Sequence, residues 1–555
     1  MHKILKKTIK YTACGIGVLL LAIILFVSIL YFSADMLTPD YTPKANGELV
    51  QTDSLREYAG NYLRQSNSGL WELKVSGDAF QRGEAIGKLS SDLLYYQEKV
   101  FVDQIREIVP SDNYLKFLRF FIVLFNRNLG ENVPEEFRDE IYGISLSCTH
   151  EYDFIGTHYE RQLNYHSAHD LGHAMQDYML VGCSSFATWG ENSADSSLII
   201  GRNFDFYMGD KFAHNKLVSF YQPEQGYKFA SVGWPGMIGV LSGMNETGLT
   251  VTINAAKSDM PTASATPISI LTREILQYAS TIDEAYAIAL KRKTFVSESI
   301  LIGSARDGRA AIIEKSPEKT ALFTSSGNQI ICTNHYQSDT FRNDERNQEN
   351  IATSDSPYRF ARLQELLKEN KPIDPMKAAS ILRNQKGLDN IDLGMGNEMA
   401  INQLIAHHSV IFLPEKQIMY VSTSPWQCGK YMAYDLNKIF SDTIDFHHEI
   451  ATLSLTIPED NFISQANYKQ FMAYRNLTKL IREKIQRKET IETKVLNLYE
   501  ASNPSFYYVY EVLGDYYAAI QQTDTAMTYW QKALTMPIPK QAEKVRIQQK
   551  INKNQ

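Results

Sequence analysis

Hydrophobic and polar positions divide the chain into stretches of different period. An uncharged run from Tyr11 to Ser33, preceded by Lys3, Lys6, Lys7 and Lys10, is long enough to cross hydrocarbon as a helix, which takes about 20 apolar residues. Residues 35–69 are polar and proline-containing and read as a stem. From Trp71 to Ala174 apolar positions recur mostly at helical spacing, with one strand-like stretch at Leu70–Val75. Within that part, Tyr114–Phe125 (YLKFLRFFIVLF) predicts either a buried helix or a surface that touches lipid or an acyl group. At Cys183 the period changes to short strand-like runs: Ser197–Phe204, Lys216–Tyr221, Lys228–Val232, Leu249–Asn254, Ser299–Gly303, Ala310–Glu314, Gln329–Asn334, Ser409–Leu413 and Gln417–Ser422. Turn signals such as Asn245-Glu246-Thr247-Gly248 and Pro414-Glu415-Lys416 join them, and helical stretches intervene at Ile268–Lys291 and Ser356–Asn370. This order suits antiparallel sheets with helices on their outer faces, an α+β fold.

After Asp442 the spacing turns helical again. Tyr510, Leu513, Gly514, Tyr517, Ala526, Trp530, Ala533 and Pro537 approximate the large and small positions of one tetratricopeptide-like repeat. A single repeat cannot bury its own face, so packing against Asn467–Arg487 is expected. Such a region is either a structural cap or a platform for a protein partner. The expected divisions are 1–34 (cytoplasmic tail and transmembrane anchor), 35–69 (stem), 70–182 (helical propeptide-side segment), 183–442 (catalytic domain) and 443–555 (helical C-terminal region).

Composition narrows the partners. With 44% apolar and 21% charged residues the chain reads as globular, and its net charge of −7 comes from mixed signs without a basic stripe, which excludes nucleic acid as a main partner. The lysines before the apolar run keep that end in the cytoplasm, so the bulk of the chain is expected outside it, on the periplasmic side in a Gram-negative cell. Phe32-Ser33-Ala34 has a bulky residue where a cleaved signal wants a small one, which favours an uncleaved anchor.

Five cysteines, Cys14, Cys148, Cys183, Cys332 and Cys428, show no zinc or CxxC spacing. His169 and His173 lie i, i+4 within HSAHDLGH, but that segment lacks the glutamate of a metalloprotease helix, so no metal and no cofactor is expected. Val181-Gly182-Cys183-Ser184-Ser185-Phe186 offers different chemistry. A thiol can attack the carbonyl just before it, and hydrolysis of the resulting ester leaves an N-terminal cysteine. The α-amine of such a residue, with a reference pKa of about 7.7–8.0, can serve as base for its own thiol. Taken alone, a Gly-Cys pair is equally a buried small residue.

The residues downstream of Cys183 carry more. Gly201-Arg202-Asn203-Phe204-Asp205, Gly243-Met244-Asn245-Glu246-Thr247-Gly248-Leu249, Thr252-Ile253-Asn254-Ala255-Ala256, Thr333-Asn334-His335 and Ser356-Pro357-Tyr358-Arg359-Phe360 come in that order, with Gly77-Asp78-Ala79-Phe80-Gln81-Arg82-Gly83 upstream. Across roughly residues 70–440 this set resembles the N-terminal-nucleophile hydrolases of the acyl-CoA:6-aminopenicillanate acyltransferase type and, more distantly, the choloylglycine hydrolases.

The resemblance implies a four-layer αββα sandwich and autoproteolysis between Gly182 and Cys183. It implies Cys183 as nucleophile and base, Asp205 holding its amine and Arg202 supporting the thiolate. Asn254 becomes an oxyanion donor, and Asn334 and Arg359 complete the polar network. The expected activity is cleavage of a linear amide, or transfer of an acyl group from an amide or thioester, through a Cys183 acyl-enzyme. Read without the family, Asn254 ends a strand, Arg202 and Asp205 form a surface ion pair, and Asn334-His335 is a turn. The rival reading of the whole chain is a membrane-tethered interaction module with no catalysis.

Overall fold

The computed structural model describes residues 2–32, 34–41, 47–52, 54–108, 111, 119–120, 122–174, 180–257 and 265–554. Two sheets dominate. In the larger lie β1 (Val50–Gln51), β2 (Leu55–Tyr58), β3 (Asn61–Gln65), β4 (Trp71–Gly77), β7 (Leu217–Pro223), β8 (Phe229–Gly233), β9 (Ser242–Asn245), β10 (Leu249–Ala255), β11 (Glu298–Ser304), β12 (Arg309–Lys315) and β13 (Thr320–Thr324). In the smaller lie β5 (Leu180–Gly190), β6 (Ser196–Tyr207), β14 (Gln329–Cys332), β15 (His408–Leu413), β16 (Ile418–Ser422) and β17 (Tyr431–Asp435). The eleven strands of the larger sheet run in the order β1-β2-β3-β4-β7-β8-β9-β10-β11-β12-β13, and the six of the smaller in the order β14-β5-β6-β15-β16-β17.

Side-chain alternation builds the layers. On β11 and β12, Ile300, Ile302, Ala311 and Ile313 face a core shared with helices Ala79–Leu89, Glu135–Ser145, Ile268–Tyr278 and Ile282–Lys291. Leu301, Ala310 and Ile312 face the other way and meet Ile200, Val410, Phe412, Met419 and Val421 of the smaller sheet. The smaller sheet's outer face (Phe186, Ile199, Ile411, Tyr420) packs on helices Ser356–Asn370 and Pro375–Leu382 through Leu363, Leu367, Ile381 and Leu382. The result is helix, sheet, sheet, helix, as the α+β expectation requires. Strands buried on both faces read as unbroken apolar runs, and each aliphatic side chain removed from water contributes about 1.5–3 kcal/mol.

Several details differ from the sequence reading. The stem contributes β1, β2 and β3, which pair in succession onto β4, so the sheet begins before Leu70. Ile268–Lys291 is two helices, broken where Thr281 caps the second by accepting from the Glu284 N–H. Half of Tyr114–Phe125 lies outside the described residues, as do the side chains of His169 and His173.

The N-terminal segment is built into the core. β4 pairs in parallel with β7, and Arg82 and Arg273 both reach the buried carboxylate of Glu140, at 2.7 Å and 3.1 Å. The glycine motif upstream has a packing reason: a Cβ on Gly83 would collide with the Glu140 carbonyl, and one on Gly143 would stand 2.6 Å from the Glu84 nitrogen. Helices Ala79–Leu89 and Glu135–Ser145 therefore approach backbone to backbone. Beyond the sandwich, helices Ala466–Arg487, Thr493–Ser502, Tyr507–Ala519, Thr523–Leu534 and Gln541–Asn554 form a separate apolar cluster that includes Leu404 and Cys428 of the core. At the other end, Cys14–Tyr31 of helix His2–Phe32 is unburied and is long and apolar enough to cross a membrane.

Candidate active site at the head of the smaller sheet

β5 and β6 run antiparallel, with Gly182 opposite Asp205, Cys183 opposite Phe204, Ser184 opposite Asn203 and Ser185 opposite Arg202. Because side chains alternate across a strand, Cys183, Ser185 and Arg202 point toward the larger sheet. Gly182, Ser184, Asn203 and Asp205 point toward the outer helices, where Asn203 donates to the Leu382 and Ile401 carbonyls at 2.8 and 2.9 Å.

Three of the six expected residues, Asn334, Arg359 and Arg202, contact Cys183 itself, and Asp205 stands opposite Gly182 on the neighbouring strand. Its backbone N–H donates to Asn334 Oδ1 at 2.9 Å, and its carbonyl accepts from Arg359 Nη1 at 2.6 Å. Arg359 Nη2 donates to the same Asn334 oxygen at 2.8 Å, while Asn334 Nδ2 is anchored on the Ala255 carbonyl at 2.8 Å. Arg202 Nη2 lies 3.8 Å from the Cys183 sulfur and donates to the Ile253 carbonyl at 2.5 Å. Arg202 and Asp205 are both fully buried, so neither belongs to a surface ion pair. Asn254, the sixth, stands next to Arg202's partner Ile253. Its side chain donates to the Cys332 carbonyl at 2.8 Å and accepts from Ser185 Oγ at 2.8 Å, so it ties the two sheets together.

Burial governs the electrostatics. It pushes the Cys183 thiol up to about 11, against the opposing pull of Arg202, so the thiol is protonated at neutral pH. Asp205 rises to about 8 for the same reason despite Arg359 and Arg202, and neither of its oxygens has a hydrogen-bond partner among the described residues. Gly182 adopts no left-handed conformation. It is needed for space, since a Cβ there would stand 2.8 Å from Gln403 Nε2 and 3.5 Å from Arg359 Nη2.

Other residues support the cluster. Ser242 and His408 receive Arg202 Nη1, at 2.5 and 3.2 Å, and Asp355 holds Arg359 Nε at 3.0 Å. Ser356 Oγ accepts from the Asn334 N–H at 2.7 Å. Ser356 sits in one of the ordered sequence motifs, whereas Ser242, His408 and Gln403 stand in no pattern that marks them. Away from this site, His150, Asp153 and His158 come close enough to hold a metal ion. Arg161 Nη1 already donates to that carboxylate at 2.7 Å, so the group is an ion-pair cluster as it stands.

Residues 190–403 match the family model described as acyl-coenzyme A:6-aminopenicillanic acid acyl-transferase. The chain thus resembles the N-terminal-nucleophile hydrolases of that type, as its motifs imply, and Cys183 lies just before the matched span. An uncharacterized protein of Archaeoglobus fulgidus is 24% identical over 277 residues, covering 47% of this chain and 46% of its own length. Protein dcd1B of Dictyostelium discoideum is 23% identical over 271 residues, covering 45% and 51%. The chain spans about half the length of the curated relatives it matches. Among solved structures, the Caenorhabditis elegans N-acylethanolamine-hydrolyzing acid amidase ortholog has a TM-score of 0.31 at 14% identity, covering 42% of this chain and 93% of that one. Penicillin V acylase from Agrobacterium tumefaciens has a TM-score of 0.31 at 16% identity, covering 46% and 87%.

Proposed function

We propose that the chain is a cysteine amidohydrolase or acyltransferase that cuts itself between Gly182 and Cys183 and then uses Cys183 as its N-terminal nucleophile. The observation that carries this is the convergence on one residue: Asn334 on its nitrogen, Arg359 on its carbonyl and Arg202 on its sulfur. Once the peptide bond is gone, the Cys183 amide nitrogen becomes an amine oriented by Asn334 Oδ1, with the buried Asp205 carboxyl across the strand pair as its counter-charge. The amine takes the thiol proton, the sulfur adds to a substrate carbonyl, and Asn254 turns its N–H to the oxyanion. The leaving amine departs, and water resolves the acyl-enzyme. Hydrolysis is favoured over transfer because acyl-CoA is not expected outside the cytoplasm.

The substrate is a small acyl amide, in keeping with the family model's description, and no cofactor is needed for these steps. The domain boundaries proposed are those read from the sequence, with the sheet extended back to β1. Cys14–Tyr31 serves as the uncleaved anchor and leaves the catalytic part outside the cytoplasm. The packing of Gly514 against Trp530 supports a tetratricopeptide-like reading of the C-terminal helices, which also offer a surface for a protein partner.

Intact mass and N-terminal sequencing of wild type and Cys183→Ala test the central claim. A second chain starting at Cys183, absent in the variant, is expected. An active wild type that remains one uncut chain refutes it.

A further inference from the structure

Gln403 is 2% exposed, and its side-chain Nε2 has no hydrogen-bond partner among the described residues. Native proteins leave few buried N–H groups unpaired, and each one needs a reason. This one lies against the cutting point, 2.8 Å from where a Cβ on Gly182 would stand. Arg359 Nη2 is 3.5 Å from the same place, but it is already committed to Asn334 Oδ1. Gln403 is thus the uncommitted donor beside the scissile glycine.

The C-terminal helices hold the loop that carries it. Met395 donates its N–H to Asn503 Oδ1 at 2.9 Å and accepts from Asn503 Nδ2 at 2.8 Å. Asn397 Nδ2 donates to the Pro537 carbonyl at 3.2 Å, and Lys540 pairs with Glu398 at 2.5 Å. Leu404, the next residue after Gln403, is buried in the apolar core of those helices.

We propose that Gln403 donates its free N–H to the Gly182 carbonyl oxygen while Cys183 attacks that carbonyl, and that the C-terminal helices hold Gln403 in place for this step. The proposal rests on the self-cutting function proposed for Cys183 and adds a donor to it. The Cys183 sulfur bonds to the Gly182 carbonyl carbon, whose oxygen takes the negative charge that Gln403 stabilises. The thiol proton ends on the Cys183 nitrogen as the C–N bond breaks, which leaves a thioester and a free amine. Water then adds to the thioester carbon, giving the Gly182 carboxylic acid and returning the thiol.

The test is the half-time for appearance of the Cys183-terminated chain after cell-free synthesis of the full-length protein. Gln403→Met and Gln403→Glu keep the side chain's length, and neither donates at that atom. Both are expected to lengthen the half-time about 100-fold, the usual effect of losing one oxyanion donor, while the thermal midpoint of Gln403→Met stays near that of wild type. A purely space-filling role predicts that Gln403→Met cuts at the wild-type rate, and that result overturns the proposal. Asn503→Ala leaves every residue around Cys183 in place and is expected to slow the same step; wild-type cutting there overturns the part given to the helices. A wild type that never cuts removes the underlying reading as well, whereas a wild type that cuts alongside equally fast Gln403 variants removes this proposal alone.

Discussion

Asp205 offers a measurement that depends on no substrate. Buried without a hydrogen bond to any described residue, its carboxyl is pushed up to about 8 in the folded chain against an ordinary 3.8. A carboxyl whose folded pKa lies above its unfolded value favours the fold fully below the unfolded pKa. That contribution is lost as pH rises from 3.8 through about 8. At about 1.4 kcal/mol per pH unit, the interval from 3.8 to neutrality withholds ~4 kcal/mol from the folded state. Asp205→Asn in a Cys183→Ala background cannot titrate, although its amide must find partners where the carboxyl has none, at a cost of about 1–3 kcal/mol. The Asn variant should therefore be more stable than its parent at pH 7, by ~1–3 kcal/mol, and less stable at pH 4.5. Urea midpoints of the two uncut proteins across that range should cross. Parallel curves, with the Asn variant below its parent by the same margin at both ends, would refute the claim that Asp205 is held neutral by burial. On the proposed reading, the α-ammonium created by cutting supplies a counter-charge in the wild type, so there the same substitution should lower turnover.

The remaining expectations concern other links of the site and the fold. Arg202→Lys keeps the charge but cannot reach the Ile253 carbonyl, Ser242 and the Cys183 sulfur at once. Losing ~2 kcal/mol of charged hydrogen bonding should lower turnover about 30-fold in a steady-state assay. Asn254→Ala should lower kcat by about 100–1,000-fold with little change in KM, the mark of a donor used mainly in the transition state. Gly514→Ala places a Cβ on Trp530 and should destabilise the helical region by about 1–3 kcal/mol, read as a lower calorimetric midpoint. After cutting, the two pieces should co-purify without denaturant, because β4 stays paired with β7 and Glu140 stays between Arg82 and Arg273.

The inner strands were legible by two patterns: Ala310–Ile313 is an unbroken apolar run, Leu249–Asn254 alternates Leu, Val and Ile with Thr and Asn, and the structure puts β12 and β10 there. β5 was not legible. It contains Gly182-Cys183-Ser184-Ser185, small and partly polar residues that break the apolar pattern, and Gly182 leaves room for the close approach of Gln403. The stem strands β1 to β3 form an edge with half-exposed positions, so their pattern is diluted. Residues of the candidate site were readable where they sat in ordered motifs, such as Arg202 with Asp205 or Ser356 with Arg359. Ser242 and His408 come from strands far apart in sequence and meet Arg202 only through sheet pairing and stacking, which leaves no local trace.

These contacts give a physical reason for an inert precursor on the proposed reading. Before the cut, the Cys183 nitrogen is an amide that cannot take a proton, and burial holds the thiol at about 11, so little thiolate exists at neutral pH. Asp205 meanwhile sits neutral with no hydrogen-bond partner among the described residues. Breaking one peptide bond changes all three conditions together: the nitrogen becomes a base with a reference pKa of about 7.7–8.0, the thiol gains an acceptor for its proton, and Asp205 gains an ammonium to pair with. No new residue has to arrive, since Arg202 already faces the sulfur and Asn334 the nitrogen. Cutting and activation are then one event, and a variant that blocks the first without touching Cys183 should lack the second.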